Sequence, residues 1–78
     1  MINVGVIGYG YWGPNIVRNL HGLDSTRVEA VCDKSEAALA KVRKAFPGVK
    51  TCTDPEEILT SPTIDAVERV LPWHRGDH

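Results

Sequence analysis

Val4-Gly5-Val6-Ile7-Gly8-Tyr9-Gly10-Tyr11-Trp12-Gly13-Pro14 decides the fold of this chain. The run from Ile2 to Ile7 is rich in β-branched residues and passes directly into glycines, as a strand buried in a parallel sheet does. Gly8, Gly10 and Gly13 then spell G-x-G-x-x-G, a weak pattern alone because glycine is common. Context strengthens it. The glycines follow an expected strand and open an expected helix, and an acidic residue, Asp33, stands twenty positions beyond Gly13 at the end of the next strand. The three glycines serve different ends, since Gly8 permits a tight turn, Gly10 lets backbone approach a pyrophosphate, and Gly13 lets helix and strand pack closely. Backbone N–H groups at the helix start, those of Tyr11 and Trp12, would receive the phosphate oxygens, with Pro14 just inside the helix. The alternative is a strand-to-helix turn without a ligand.

Downstream the pattern alternates. Ile16, Val17, Leu20 and Leu23 share a helical face, with Gly22 near the stop, and Arg27 to Cys32 suits a second strand ending at Asp33. A second helix runs from Ser35, an N-cap, to Phe46, with Glu36 in its first turn and Lys41, Arg43 and Lys44 near its end, as the helix dipole favours. Pro47-Gly48 stops it, Val49 to Thr53 reads as a third strand, and Asp54-Pro55-Glu56-Glu57 opens a brief helix that Ser61-Pro62 ends. Strict strand–helix alternation predicts an α/β fold: a Rossmann-like parallel sheet of three to four strands in the order 3-2-1-4, with helices on both faces, as a single partial dinucleotide-binding domain over residues 1–78. Ile64-Asp65-Ala66-Val67 begins like a fourth strand, but Glu68 and Arg69 keep neither face apolar, and Ile64, Val67, Val70 and Leu71 also share a helical face. Both conformations stay open. Pro72 to His78 reads as an irregular tail.

Asp33 would accept hydrogen bonds from the adenosine ribose and repel a 2′-phosphate, which favours NAD over NADP, although Lys34 and Ser35 beside it weaken that preference. It would otherwise only end a strand and help cap the next helix. The candidate cofactor-binding residues are thus Gly8, Gly10, Tyr11, Trp12, Gly13, Asp33 and Lys34. Tyr9, Tyr11, Trp12 and Trp73 suit packing around the loop and tail better than a stacking platform. No metal site is expected, because His74 and His78 lie in the tail with no convergent donors. Cys32 and Cys52 read as two buried thiols that the strand order would set on neighbouring strands, where an accidental disulfide is conceivable. Seventy-eight residues allow one small core, and 42% hydrophobic with 24% charged residues marks an ordinary globular chain. A net charge of −1 gives no cationic field for nucleic acid, and no segment is apolar enough to span a bilayer. The sequence reads as cytoplasmic, with no charged-then-apolar leader.

These stretches resemble the Gfo/Idh/MocA family of NAD(P)-dependent oxidoreductases, which act mostly on sugars and their derivatives. The similarity rests on Val4 to Asn15, Val28-Glu29-Ala30-Val31-Cys32-Asp33, Thr53-Asp54 and Ile64 to Val67, and covers residues 2 to 67. Tyr-Trp-Gly-Pro-Asn looks most like members handling nucleotide-linked sugars. The resemblance implies a Thr-Pro pair and a following histidine after the fourth strand, where this chain has Glu68-Arg69, Leu71-Pro72 and Gly76. The family's Glu-Lys-Pro motif with its catalytic lysine is absent, as is the substrate domain. The chain therefore reads as a truncated or frame-shifted member, catalytically incompetent alone, with no catalytic residue of its own. A second reading is a non-catalytic ligand-binding or assembly module. A fourth strand shortened by Glu68 and Arg69 would leave the apolar edge of the first strand poorly covered, which predicts a homodimer through residues 64 to 73.

Overall fold

The run from Ile2 to Ile7 is rich in valine and isoleucine, and this segment forms strand β1 in the interior of the sheet. The structure is a computed structural model that describes residues 1–10 and 13–70. After β1 come α1 (Gly13–His21), β2 (Thr26–Cys32), α2 (Glu36–Ala45), β3 (Lys50–Cys52), α3 (Glu56–Leu59) and β4 (Ala66–Arg69). The strands form one parallel sheet in the order β3-β2-β1-β4.

Local chemistry sets the helix ends. Ser35 caps α2, its hydroxyl accepting from the Ala38 N–H at 3.2 Å, and Arg43 in the last turn bonds both Glu36 and the Thr51 hydroxyl. Asp54 accepts from the Glu56 N–H at 3.0 Å, so it serves the first turn of α3 although Pro55 is the residue at the cap position. α1 ends at His21, one residue before Gly22. Leu23 consequently falls outside the helix and is exposed, not part of the apolar face expected of it.

Two apolar clusters hold the layers together. On the α1 and α2 face, Val4, Val6, Val28 and Val31 of the sheet meet Val17 and Val42, with Tyr9, Val49 and Val70 closing the cluster. Val6, Val17, Val31 and Val42 are wholly buried, each a transfer gain of about 1.5–3 kcal/mol. The α3 face is thinner: Ala30, Cys32 and Ile58, flanked by Ile7, Cys52 and Ile64. A Cβ on Gly5 would lie 2.6 Å from Ile58 Cγ2, so it is a glycine in mid-strand that lets α3 lie close to the sheet. Register slips by one residue between Val4 and Gly5, which pair with Val28 and Ala30 and leave Glu29 as an extra residue in β2. Its buried carboxylate accepts from the Thr63 hydroxyl in the α3–β4 connection.

Residues 66–69 are a strand, which closes the helical alternative. β1 decides this. Val4 to Ile7 pair with Ala66 to Arg69, the Asp65 N–H donates to Asn3 O at 2.8 Å, and the Val70 N–H donates to Ile7 O at 2.8 Å. A helix there would leave that side of β1 with unpaired backbone groups, a larger cost than placing two charged side chains in an exposed strand. The edge of β1 is therefore covered by β4, contrary to the expected bare edge, and all four β4 residues are exposed. β4 begins at Ala66 rather than Ile64, and β3 is confined to residues 50–52 within the expected 49–53. The expected tail from Pro72 to His78, together with Leu71, lies outside the described residues.

Candidate functional site

The carboxyl ends of all four strands meet around one cleft of about 480 Å³. Ile7, Gly8 and Gly10 come from β1 and the turn after it, Cys32, Asp33 and Lys34 from the end of β2, Thr53 and Pro55 from the segment after β3, and Arg69 and Val70 from the end of β4. Ligands of open α/β sheets bind at this edge, where the connections diverge to opposite faces.

The turn is fixed from two sides. Gly8 has φ +94°, and a Cβ there would stand 2.5 Å from the Val70 carbonyl oxygen, so only glycine fits between β1 and the end of β4. Its N–H donates to Cys32 O at 2.7 Å. Gly10 differs: a Cβ there would meet nothing within 4 Å among the described residues, and the space beside it belongs to the cleft. Gly13 packs on a side chain rather than on the strand, since its Cβ would lie 3.0–3.2 Å from Tyr9. Tyr9 is buried in the larger core, which raises the pKa of its phenol.

Asp33 joins the turn to the second strand. One carboxylate oxygen accepts from the Tyr9 N–H at 2.7 Å and the other from the Ser35 N–H at 2.8 Å. Burial pushes the carboxyl pKa up, but hydrogen bonds from the backbone N–H groups of Ser35, Tyr9, Gly10 and Lys34 outweigh it and hold the group below the usual carboxylate range. Asp33 is thus ionised at neutral pH and shapes the glycine turn as well as facing the cleft. Cys32 and Cys52 are register partners on β2 and β3, and both are free thiols. Cys52 is half-buried rather than buried. Burial first, and then the neighbouring Cys52, push the Cys32 thiol up to about 12, which makes it a poor nucleophile.

Of the residues expected from sequence, Gly8, Gly10, Asp33 and Lys34 are brought together in the cleft, Gly13 sits at the start of α1, and Tyr11 and Trp12 lie outside the described residues. Thr53, Pro55, Arg69 and Val70 were not expected there. Their signal is position: Arg69 ends a strand, Thr53 and Val70 directly follow one, and Pro55 lies in the short segment between β3 and α3, so the rule that sites gather at strand carboxyl ends would have found them. Among the described residues no cluster of His, Cys, Asp and Glu is suited to a metal ion, and no helix is long and apolar enough to cross a membrane.

Residues 2–76 match the model of a family described as an oxidoreductase family with an NAD-binding Rossmann fold. This chain belongs to the Gfo/Idh/MocA family. Solved structures agree. The myo-inositol dehydrogenase of Lactobacillus casei, solved with NAD(H) and myo-inositol, is 33% identical, with a TM-score of 0.81 over 90% of this chain and 21% of its own. The scyllo-inositol dehydrogenase of the same organism, solved with NAD(H) and scyllo-inositol, is 26% identical, with a TM-score of 0.79 over 92% of this chain and 22% of its own. A 3-ketoreductase from Actinomadura kijaniata, solved as a mutant with TDP-benzene and NADP, is 25% identical, with a TM-score of 0.80 over 91% of this chain and 23% of its own. The Gfo/Idh/MocA chain described here thus spans about a fifth of the length of these structures. No curated protein sequence matches it.

Proposed function

We propose that this chain binds the adenosine and diphosphate portion of NAD, as the dinucleotide-binding part of an oxidoreductase acting on a sugar, a sugar nucleotide or a related polyol. The observation carrying this reading is the single cleft that unites Gly8, Gly10 and the ionised Asp33. The residues fit the cofactor: open space at Gly10 admits a phosphate close to the backbone, and the ionised Asp33 carboxylate lines the same cleft at the end of β2, where it faces the ribose hydroxyls. The same carboxylate charge disfavours a 2′-phosphate, so NAD is preferred to NADP. Bound nicotinamide would supply the hydride chemistry. Turnover also needs a substrate against the ring and an acid–base group within hydrogen-bond reach, and the one carboxylate among the cleft's described residues is engaged with the glycine turn. The 78-residue chain is accordingly proposed to bind the dinucleotide without catalysing its reduction. A cytoplasmic location accords with that role.

Amide chemical-shift titration tests the reading. NAD should move Gly8, Gly10 and Asp33 with a Kd in the millimolar range, about −4 kcal/mol, as befits half a cofactor site. Gly10→Val should abolish the shifts while leaving the fold intact, because its side chain enters open space. No movement at several millimolar NAD would sink the proposal. NADH formation from a sugar by the purified chain would overturn the non-catalytic part of it.

Self-association is the second reading, favoured by the exposure of every β4 residue. A homodimer would use the outer edge of β4 rather than that of β1. Sedimentation equilibrium at tens of micromolar distinguishes it from a monomer of 8.6 kDa.

A further inference from the structure

β4 delivers to the cleft a charge that the rest of the described molecule leaves unanswered. Arg69 stands in register with Ile7, the last residue of β1. Alternation along β4 sets it on the face opposite Val70, which joins the larger core, and Arg69 is one of the residues lining the cleft with Gly8, Gly10, Asp33 and Lys34. Among the described residues the one ion pair is Arg43 with Glu36, so neither Arg69 nor Lys34 has a carboxylate against it. Asp33 is the one acidic residue among the described residues that line the cleft, and its two oxygens face the N–H groups of Tyr9 and Ser35. Two cations without an ion-pair partner among the described residues, beside one engaged carboxylate, favour an anionic ligand.

Position selects which anion. Neighbouring strands lie about 4.8 Å apart, so Arg69 is one strand from the glycine turn that continues β1 and two strands from the end of β2, where Asp33 and Lys34 stand. The turn is where a diphosphate would cross, and the end of β2 is where the ribose would lie. We propose that Arg69 is a cationic contact for the diphosphate of the bound adenine dinucleotide, a planar fork matched to two phosphate oxygens across from the turn's backbone. This rests on the dinucleotide reading above and deepens it. Affinity then follows the diphosphate more than the adenosine, and β4 takes part in recognition as well as in the sheet.

The test is the same amide titration, run on the wild-type chain, Arg69→Leu and Arg69→Lys with adenosine, ADP, NAD and NADP. Arg69→Leu should weaken ADP, NAD and NADP by about 10-fold, the scale of one charge-assisted contact, and leave adenosine within about twofold. Arg69→Lys should lose less, because it keeps the charge without the fork. Equal ADP and NAD affinities in wild type and Arg69→Leu would overturn the proposal, as would a loss confined to NADP, which would place the guanidinium at the 2′-phosphate. A loss that includes adenosine would also overturn it, by showing a change in the cleft itself. Failure of the wild-type chain to respond to NAD would overturn the dinucleotide reading beneath it.

Discussion

β2 and β4 flank the same strand and could hardly differ more. β2 is buried over its last five residues, Val28 to Cys32, whereas Ala66 to Arg69 of β4 are all exposed and half of them are charged. Both are parallel partners of β1. The contrast separates two reasons for being a strand: β2 is one because its side chains belong in the core, and β4 is one because β1 needs backbone partners on its second side. Each flank also holds the glycine turn in its own way, β2 through Cys32 O and the Asp33 carboxylate, β4 through the Val70 carbonyl against Gly8.

The same charge placed on each flank should have the most unequal effects. Val31→Asp puts a carboxylate into a wholly buried site without a partner and should cost at least about 4 kcal/mol, enough to unfold most domains of this size. Val67→Asp, at a position 39% exposed, should stay within about 1 kcal/mol. Urea midpoints by circular dichroism measure both, and comparable losses would mean that β4 is covered by something else.

Next in size is Gly8→Ala. Both a positive φ and the Val70 carbonyl at 2.5 Å from the new Cβ oppose it, and we expect a loss of about 2–3 kcal/mol. Because the β4 flank supplies the clash, the variant should also loosen Val70, read as faster amide exchange there than at Val31. Uniform acceleration would instead assign the whole cost to the turn.

The smallest effect belongs to Asp33. Its pKa is depressed in the folded chain, so its stabilising contribution is fully present above the unfolded value near about 3.9 and is lost as pH falls through the lower folded pKa. Wild type should therefore exceed Asp33→Asn in urea midpoint at pH 7 by a margin that shrinks below about pH 4. A margin that is constant with pH would mean that hydrogen bonding, not charge, joins β2 to the turn.

The sequence disclosed most where periodicity and turn chemistry agree. Strand, glycines and Asp33 announced the cleft together, and Ser35 announced α2, because each is a local signal with a local cause. Residues 64–70 stayed ambiguous because their conformation is imposed by β1, roughly sixty positions away, and Glu68 and Arg69 carry no trace of that demand in their own pattern. Leu23 misled for a related reason: it continues a helical stripe in spacing, but the chain has already turned at Gly22. The close approach at Gly5 and the places of Thr53, Pro55 and Val70 in the cleft are not written in those residue types, since they depend on what comes near them, α3 in the first case and the converging strand ends in the others.

The slipped register at Glu29 has a further consequence for how lineages of this chain can change length. Val28 pairs with Val4 and Ala30 with Gly5, so the extra residue is taken up on the spot and the ladder resumes in step. Removing it would join two segments already in phase, and the carboxylate at the strand's end would stay where it is. β2 thus contains slack of one residue ahead of Asp33, and the distance counted along the chain from the glycines to the acid is a looser ruler than the distance in space.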